Sequence, residues 1–233
     1  MKRFMTLCAL FVISLPLLSA HVSSEISPST SFRKNNDSYQ ITTIKALDVS
    51  NPKTPEHVVL ADFIKSKLDE PFSVPNKDGR LSKTKEFLEK SEKVQRLFVV
   101  IYKNEKPITF GGLQNMALSC QSNIDCSFLK LNDALHSYGL SFDHGYHLGG
   151  IYSDLDQQGL LETIGKDILS RLLSDILPRT KAGSPYIIMS EFVDSERMIH
   201  AQEKIFLGTR ISDEKGLLSQ EHQRLSVHFL HKL

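Results

Sequence analysis

Neither sign of charge is in excess in this chain, which has 28 Lys and Arg against 27 Asp and Glu among 233 residues. So balanced a chain offers no general electrostatic footprint for nucleic acid or for an anionic membrane. Glycine and proline are few, at 12 and 9 residues, and 40% of the residues are hydrophobic. These values exclude a collagen-like repeat and global disorder, and the length favours one sizeable α/β domain.

Long hydrophobic runs are lacking except at the N-terminus, so a polytopic membrane protein is excluded. Met1, Lys2 and Arg3 form a short basic start, and an almost wholly apolar run follows over residues 4–18. A transmembrane helix needs about 20 apolar residues, and this run is shorter and contains Pro16. The pattern predicts a signal peptide of bacterial style over residues 1–20, cleaved after Ala20 or, alternatively, a few residues later. We therefore expect no stable membrane anchor and export to the periplasm or beyond.

Cysteine is scarce, with three residues in the chain. Cys8 lies in the predicted signal peptide, which leaves Cys120 and Cys126 in the mature protein. In an oxidising compartment this spacing favours a local disulfide bond. A metal-binding pair and two free thiols are the alternatives, although a zinc site would need further ligands at set spacing.

The rest of the chain divides into a leader and one domain. Residues 21–38 are rich in Ser and Asn and predict a mobile leader, whereas residues 39–233 run without a linker. Apolar periodicity there predicts strands and helices in turn. The expected strands are 39–47, 97–102, 107–113, 146–152, 186–193, 207–211 and 225–230, and the expected helices are 55–68, 83–93, 129–138, 159–177 and 195–206.

One stretch carries a more specific signal. It comprises Leu148-Gly149-Gly150-Ile151-Tyr152, Asp156-Gln157-Gln158-Gly159, Ile164-Gly165-Lys166 and, further on, Phe206-Leu207-Gly208. Together with the element order, these segments resemble the GNAT acetyltransferase superfamily over roughly residues 39–233. The resemblance implies an α/β fold in a single domain, with a GNAT-like mixed central sheet flanked by helices.

The resemblance also implies a cosubstrate, acetyl-CoA or another acyl-CoA. In the family, a Gln/Arg-x-x-Gly-x-Gly/Ala segment presents backbone N–H groups to the pyrophosphate, and a helix start with glycine suits an anion. Here Thr163 or Leu161 stands where the family has a glycine, depending on the alignment. The implied cofactor-binding residues are Ile151, Tyr152, Gln158, Gly159, Thr163, Gly165 and Lys166.

Candidate catalytic residues follow from the same resemblance. An amine must lose a proton to attack a thioester, and a base with a near-neutral pKa serves best. His147, on the first of the two central strands, is the leading candidate for that base, with Glu191 on the second strand as the alternative. The helix over 195–206 lacks the Tyr that often serves as the acid in the family, so His200 or Lys204 would have to replace it.

We therefore expect an exported acyl-CoA-dependent N-acyltransferase that acts on an amine of a small molecule or a protein. Acyl-CoA is cytosolic, so an active exported enzyme would act in another cytosol, on a host protein for example. A catalytically inactive binding protein with the same fold is the alternative. No metal site is expected, because His222, His228 and His231 match no ligand pattern and are interpreted as solvated tail histidines.

Overall fold

The computed structural model describes residues 28–69, 80–122, 127–153, 159–178, 183–212, 216–218 and 225–233. The predicted signal peptide lies outside these residues. Within them, no helix is both long enough and apolar enough to cross a membrane.

The described strands form one mixed sheet. They are β1 (Ser29–Lys34), β2 (Asp37–Lys45), β3 (Leu97–Lys103), β4 (Lys106–Asn115), β5 (Gly145–Ser153), β6 (Tyr186–Phe192), β7 (Thr209–Arg210), β8 (Leu217–Leu218) and β9 (Leu225–His231). Their order is β1-β2-β3-β4-β5-β6-β9-β7, and β8 also pairs with β9. Strands β5 and β6 are parallel, while the other pairs are antiparallel.

Helices lie on both faces of the sheet. They are α1 (Ala46–Ser50), α2 (Pro55–Asp69), α3 (Arg80–Lys93), α4 (Met116–Gln121), α5 (Asn132–Ser137), α6 (Leu160–Arg171) and α7 (Glu196–Lys204). Residues Ser127–Leu131 and Phe142–His144 form 3-10 turns, and Leu172–Ile176 continue α6 as a π-helical turn. The predicted mixed sheet flanked by helices is therefore confirmed.

The predicted hairpin is β3 and β4, and it lies at the centre of the sheet. Its turn contains Asn104 and Glu105, both with positive φ angles, of 48° and 69°. A two-residue turn of this kind matches the twist of the strands that it joins. Residues 98–101 are buried without alternation, because α6 covers one face of the hairpin and α2 and α3 cover the other.

The apolar stripe of α6 packs on the sheet as predicted. Ile164, Ile168, Leu172 and Ile176 are all buried, at most 9% exposed, and contact the same core cluster as Leu148. Spacing of three and four residues keeps one helix face apolar. This packing holds α6 against β5, the strand that precedes it.

A third cluster covers the opposite face of β5, β6 and β9. Phe128, Leu131 and Leu135, from the region between β4 and β5, pack against Ile188 and Leu230. The sequence predicted only a helix over residues 129–138 in this region. The structure has a 3-10 turn followed by the short helix α5. The side chains of these two elements form a packed layer over this half of the sheet.

The mobile leader predicted over residues 21–38 is wrong for its described part. Residues 29–34 form β1, which pairs with β2 along its whole length, and β2 itself begins at Asp37. The ring of Phe32 stacks on Tyr39 at 5.2 Å. Sequence patterning missed β1 because its polar residues alternate with a single large apolar side chain, and backbone pairing rather than burial creates the strand.

Candidate functional site

A wedge opens in the middle of the sheet, between its two parallel strands. Four residue pairs join β5 to β6, from Gly145 and Tyr186 to Leu148 and Met189. Strand β5 then continues to Ser153 and β6 to Phe192 without pairing to each other. Among the described residues, the facing edges of β5 and β6 beyond Leu148 and Met189 thus do not pair with each other, and the gap between them can accept an extended ligand as a further strand would pair.

A bulge in β5 explains why the strands separate there. Between β4 and β5, Phe110 pairs with Tyr152 and Gly112 with Gly149, so one residue of β4 faces two of β5 between these pairs. An extra residue bends its strand and increases the local twist. Because the bulge begins directly after the last pair between β5 and β6, it turns β5 away from its parallel neighbour.

The N-terminus of α6 lies on the chain just beyond the end of β5. Its N-cap is Gly159, with φ 83° and no side-chain cap. The N–H group of Thr163 already donates to the carbonyl oxygen of Gly159 at 3.2 Å, whereas the N–H groups of the three residues between them have no acceptor within the helix. No described atom lies within 4 Å of a Cβ built at Gly159. Among the described residues, the space beside Gly159 is therefore free for an anion at the first turn.

The charge at this helix start is balanced by α7. Glu162 lies in the first turn of α6, and Arg197 Nη2 donates to its Oε1 at 2.9 Å. A carboxylate alone would oppose a bound phosphate, but the guanidinium offsets it. The implied binding residues Thr163 and Lys166 are exposed on α6, while Gln158 and the side chains of Ile151 and Tyr152 lie outside the described residues.

Gly165 has a different position from the other implied binding residues. It is buried within α6, and a Cβ at this residue would lie 2.3 Å from Cε1 of Phe206. The glycine therefore lets the Phe206 ring, which follows α7, pack directly on α6. It does not belong to the uncapped first turn.

A small apolar cavity lies beside the wedge. It measures about 40 Å³, and its lining includes Leu148, Met189, Met198, Gly165 and Phe206. A cavity of about 10–15 Å³ holds one water molecule, so this one has room for a small apolar group. It connects the last paired residues of β5 and β6 with α6 and α7.

The two base candidates lie on opposite faces of the sheet. Side chains alternate along a strand: Met189 belongs to the cluster under α6, and Ile188 belongs to the cluster on the other face. Glu191 therefore faces α7, which is confirmed by its hydrogen bond from Gln202 Nε2 to Oε1 at 2.8 Å. His147 faces the other way and contacts the ring of Phe128, with the ring centroids 4.8 Å apart.

His147 is held at the closed end of the wedge. Its Nε2 lies 3.1 Å from Oγ of Ser190, which is the first residue of β6 after the last pair with β5. The interaction bridges the two strands where they separate. It fixes the imidazole beside the point of separation, on the face covered by Phe128.

Glu191 belongs to a buried polar chain that sequence reasoning missed. Gln202, which is fully buried, donates to Glu191, and its Oε1 lies 3.0 Å from Nε2 of His231. Burial raises the pKa of Glu191, although the hydrogen bond from Gln202 acts in the opposite direction. Burial lowers the pKa of His231 to about 4, against a smaller opposite effect of a hydrogen bond with the backbone of Phe206.

The burial of two of the tail histidines shows that the prediction of solvated tail histidines is wrong for them. His228 and His231 are 4% and 6% exposed on β9, and His222 lies outside the described residues. A faint signal was present in the sequence, since Gln202 is a polar residue on the apolar face of a helix and His231 lies in an alternating strand. In the described part of the chain, no group of three or more His, Cys, Asp and Glu side chains could hold a metal ion.

The predicted acid is not brought to the wedge. His200 and Lys204 are exposed on α7, whereas Ala201 and Gln202 are buried between them. The face of α7 that meets the sheet thus carries Gln202 in place of either cation. Cys120 lies on α4, but Cys126 is outside the described residues, so their disulfide stays a prediction.

The splayed parallel pair, the adjacent bulge and the helix that starts at the open end define the GNAT N-acetyltransferase fold. The resemblance of the sequence to this superfamily is thereby confirmed at the level of the fold. No family model and no curated protein matches the chain in sequence, so the fold rests on structure alone.

Two solved structures illustrate the similarity. An aminoglycoside acetyltransferase in complex with coenzyme A superimposes with a TM-score of 0.52 at 10% identity, over 82% of this chain and 93% of that one. An uncharacterized protein from Bacillus halodurans superimposes with a TM-score of 0.51 at 12% identity, over 89% of this chain and 91% of that one. At such identities the comparison shows a shared fold and leaves function to the site.

Proposed function

We propose that this protein is an acyl-CoA-dependent N-acyltransferase that transfers an acetyl or other acyl group to an amine. The observation that carries the proposal is the wedge, because its unpaired strand edges lie next to the uncapped start of α6. The strand edges suit an extended pantetheine arm, and the helix start suits its pyrophosphate. The apolar cavity beside them suits the acyl group.

The groups proposed for the transfer come from both faces of the sheet. The start of α6 and the Glu191 side chain lie on one face, so the acyl donor enters there. His147 lies on the other face, beside the point where β5 and β6 separate, and the amine reaches it through the wedge. In transfer, the amine nitrogen attacks the thioester carbon and the C–S bond breaks. His147 takes the proton that the amine loses, and Glu191 gives a proton to the departing sulfur.

The protonation states of these groups support their roles. An amine is protonated at neutral pH and must lose that proton before its nitrogen can attack, and an imidazole is a side chain suited to accept a proton in the transfer. Burial raises the pKa of Glu191, which favours the carboxylic acid that proton donation requires. A protonated amine first releases one proton to water, and the neutral amine that attacks then gives a second proton to His147 while Glu191 protonates the sulfur. The products are an amide, a free thiol and the proton released to water, and return of a proton from His147 to Glu191 restores both groups.

Binding of the donor is the first test. Acetyl-CoA is titrated calorimetrically into the purified wild type, Arg197→Glu and Lys85→Glu. Arg197→Glu adds a second carboxylate beside Glu162, so its affinity should fall by about three- to tenfold. Lys85→Glu makes the same charge change on α3, across the sheet, and should bind as the wild type does. Absence of binding to the wild type at millimolar acetyl-CoA would overturn the proposal.

Turnover is the second test. Release of free thiol from acetyl-CoA is followed with a panel of amines that includes a polyamine, an aminoglycoside and a lysine peptide. His147→Gln and Glu191→Gln should each slow transfer by about 10²–10⁴-fold, the usual contribution of one acid or base. His200→Gln serves as the matched control and should keep the wild-type rate, since His200 is exposed on α7.

We also propose that the protein is exported and acts outside the cell that makes it. The basic start and the apolar run of residues 4–18 support this proposal. Because acyl-CoA is a cytosolic compound, the site of action would be another cytosol, and an amine of a host protein is one substrate of the proposed class.

A further inference from the structure

We propose that Gln202 and His231 are positioning residues, which together direct the proton of Glu191 to Oε2, the oxygen that Gln202 does not engage. This inference rests on the proposed function, since it names the groups that prepare Glu191 to act. It arises from three side chains on three elements, namely β6, α7 and β9. Their hydrogen bonds form one chain from the C-terminal strand to the wedge.

The series of hydrogen bonds begins at His231. This imidazole is 6% exposed, and burial keeps it neutral, so one ring nitrogen donates and the other accepts. Its Nε2 lies 3.0 Å from Oε1 of Gln202, an atom that can only accept. His231 therefore carries its hydrogen on Nε2 and donates it to Gln202.

The acceptors on β6 set the orientation of the Gln202 amide. Its Nε2 amino group donates to Glu191 at 2.8 Å and contacts Sδ of Met189 at 3.6 Å, which leaves Oε1 on the side of His231. Both contacts are acceptors, and a rotated amide would place its oxygen against each of them. Gln202 is fully buried, so water does not compete for either end of the amide.

The amide in turn decides which oxygen of Glu191 is free. Oε1 accepts from Gln202 and cannot carry the acid proton along that line, which leaves Oε2 to hold it. The cations of α7 do not compete for this carboxyl group, because Arg197 donates to Glu162 and Lys204 is exposed. Strand β9 thereby completes the site, although its residues are remote from the wedge in sequence.

The test measures the carboxyl group itself. The pKa of Glu191 is followed by carbon NMR in protein labelled at the glutamate carboxyl carbon, with Glu191→Gln to assign the signal. Gln202→Met removes the donor and should shift the pKa upward. His231→Leu frees the amide to rotate and should shift it upward too, whereas His231→Gln keeps a donor at this position and should restore the wild-type pKa.

A double variant separates positioning from a general disturbance of the fold. The effect of His231→Leu should vanish in the Gln202→Met background, because it reaches Glu191 only through the amide. An unchanged pKa of Glu191 in folded Gln202→Met would overturn the inference, and so would an equal effect of His231→Leu in both backgrounds. If His231→Leu does not fold, Gln202→Met and His231→Gln decide the matter by themselves.

The same variants distinguish this inference from the proposed function. The NMR titration needs no substrate, so the predicted shifts can appear in a protein that never binds acetyl-CoA. In that case the proposed function fails and the hydrogen-bonded chain stands. If acyl transfer does occur, the limb of its pH profile that belongs to the acid should move upward with the pKa of Glu191 in Gln202→Met.

Discussion

At the scale of the residue, the site depends on side chains whose surroundings reverse their ordinary behaviour. His231 would be partly charged near pH 6.5 in water but is neutral in the fold, and Gln202 lies where a helix normally buries an apolar residue. Glu191 moves in the opposite sense, towards its protonated form. Burial causes each change, because a low dielectric disfavours charge.

The neutrality of His231 predicts a pH-dependent stability. Its pKa is about 4 in the fold against 6.5 for the unfolded chain, so the unfolded state takes up the proton first as the pH falls. The stabilisation is complete above pH 6.5 and disappears towards pH 4, a change of roughly 3 kcal/mol. In urea unfolding at pH 7.5 and pH 5, the advantage of wild type over His231→Gln should shrink at the lower pH.

The stability of the wild type is compared with that of His231→Gln because Glu191 also makes stability depend on pH. A carboxyl group with a raised pKa gains stability in the fold as the pH falls, opposite in sign to His231. Because both proteins retain Glu191, its contribution largely cancels in the difference. A difference between the two proteins that is constant from pH 7.5 to 5 would contradict a neutral, buried His231.

Gly165 makes a second prediction at this scale. Alanine normally stabilises a helix interior relative to glycine by about 1 kcal/mol, but here its Cβ would overlap the ring of Phe206. We expect Gly165→Ala to lower the free energy of unfolding by about 1–3 kcal/mol, as overpacking does. Chemical denaturation measures the change, and Ser170→Ala, at an exposed position of α6, is the matched control without a clash.

The reason for the Gly165 effect can be checked separately. If the ring of Phe206 is what the new methyl group meets, the cost of Gly165→Ala should fall in a Phe206→Leu background. Equal costs in both backgrounds would show that Phe206 is not the obstacle.

At the scale of the element, side chains of β1 bind α6 and its π-helical continuation; these contacts are called the β1–α6 clasp. Lys34 Nζ donates to Asp167 and to the carbonyl oxygen of Thr163, both at 2.7 Å. Thr30 Oγ1 donates to Asp175 at 2.7 Å, and Arg171 lies 5.3 Å from the ring of Phe32. The edge strand thus contacts the helix at three successive places, including its first turns, and steadies the helix that would hold the acyl donor.

Substitution of Phe32 tests whether the β1–α6 clasp contributes to the free energy of unfolding. The variant Phe32→Ala removes the stack on Tyr39 and the contact with Arg171, and we expect a loss of about 1–2 kcal/mol in chemical denaturation. Arg33→Ala, on the exposed side of the same strand, should change stability by less than about 0.5 kcal/mol. Equal values for the two variants would mean that residues 29–34 behave as the mobile leader that their composition indicates.

Most elements could be predicted from the sequence, and those that could not have a common cause. The hairpin of β3 and β4, the stripe of α6 and the strand β6 have strong apolar patterns, so local periodicity identifies them. Strand β1 has a polar pattern and exists because β2 offers it a backbone partner. The bulge in β5 leaves no mark in composition, since it depends on how β4 and β5 align.

At the scale of the whole molecule, the two proposals, export and the use of cytosolic acyl-CoA, agree only if the exported protein reaches another cytosol. The proposed export depends on the predicted signal peptide of residues 1–20, and cleavage of this peptide can be tested directly. N-terminal sequencing of protein recovered outside the cytoplasm should find a chain that begins after Ala20 or Ser24. A chain that retains Met1 in the membrane fraction would contradict cleavage.

The sequence by itself determined most of the elements from β2 onward, their helical or extended character and the resemblance to the GNAT superfamily. Each of these depends on residues close together in the chain, where spacing reports which face is apolar. It also named His147 and Glu191, because residue type and position on the central strands are enough to nominate them.

Only the tertiary structure decided how those residues are used. The alternation of strands placed His147 and Glu191 on opposite faces, and the bulge opened the wedge between them. The partners of Glu191 come from 11 residues away on α7 and, through Gln202, from a further 29 residues on, at the end of β9. No local pattern encodes such contacts, because burial of a polar side chain is stable only when the fold brings its partner to it.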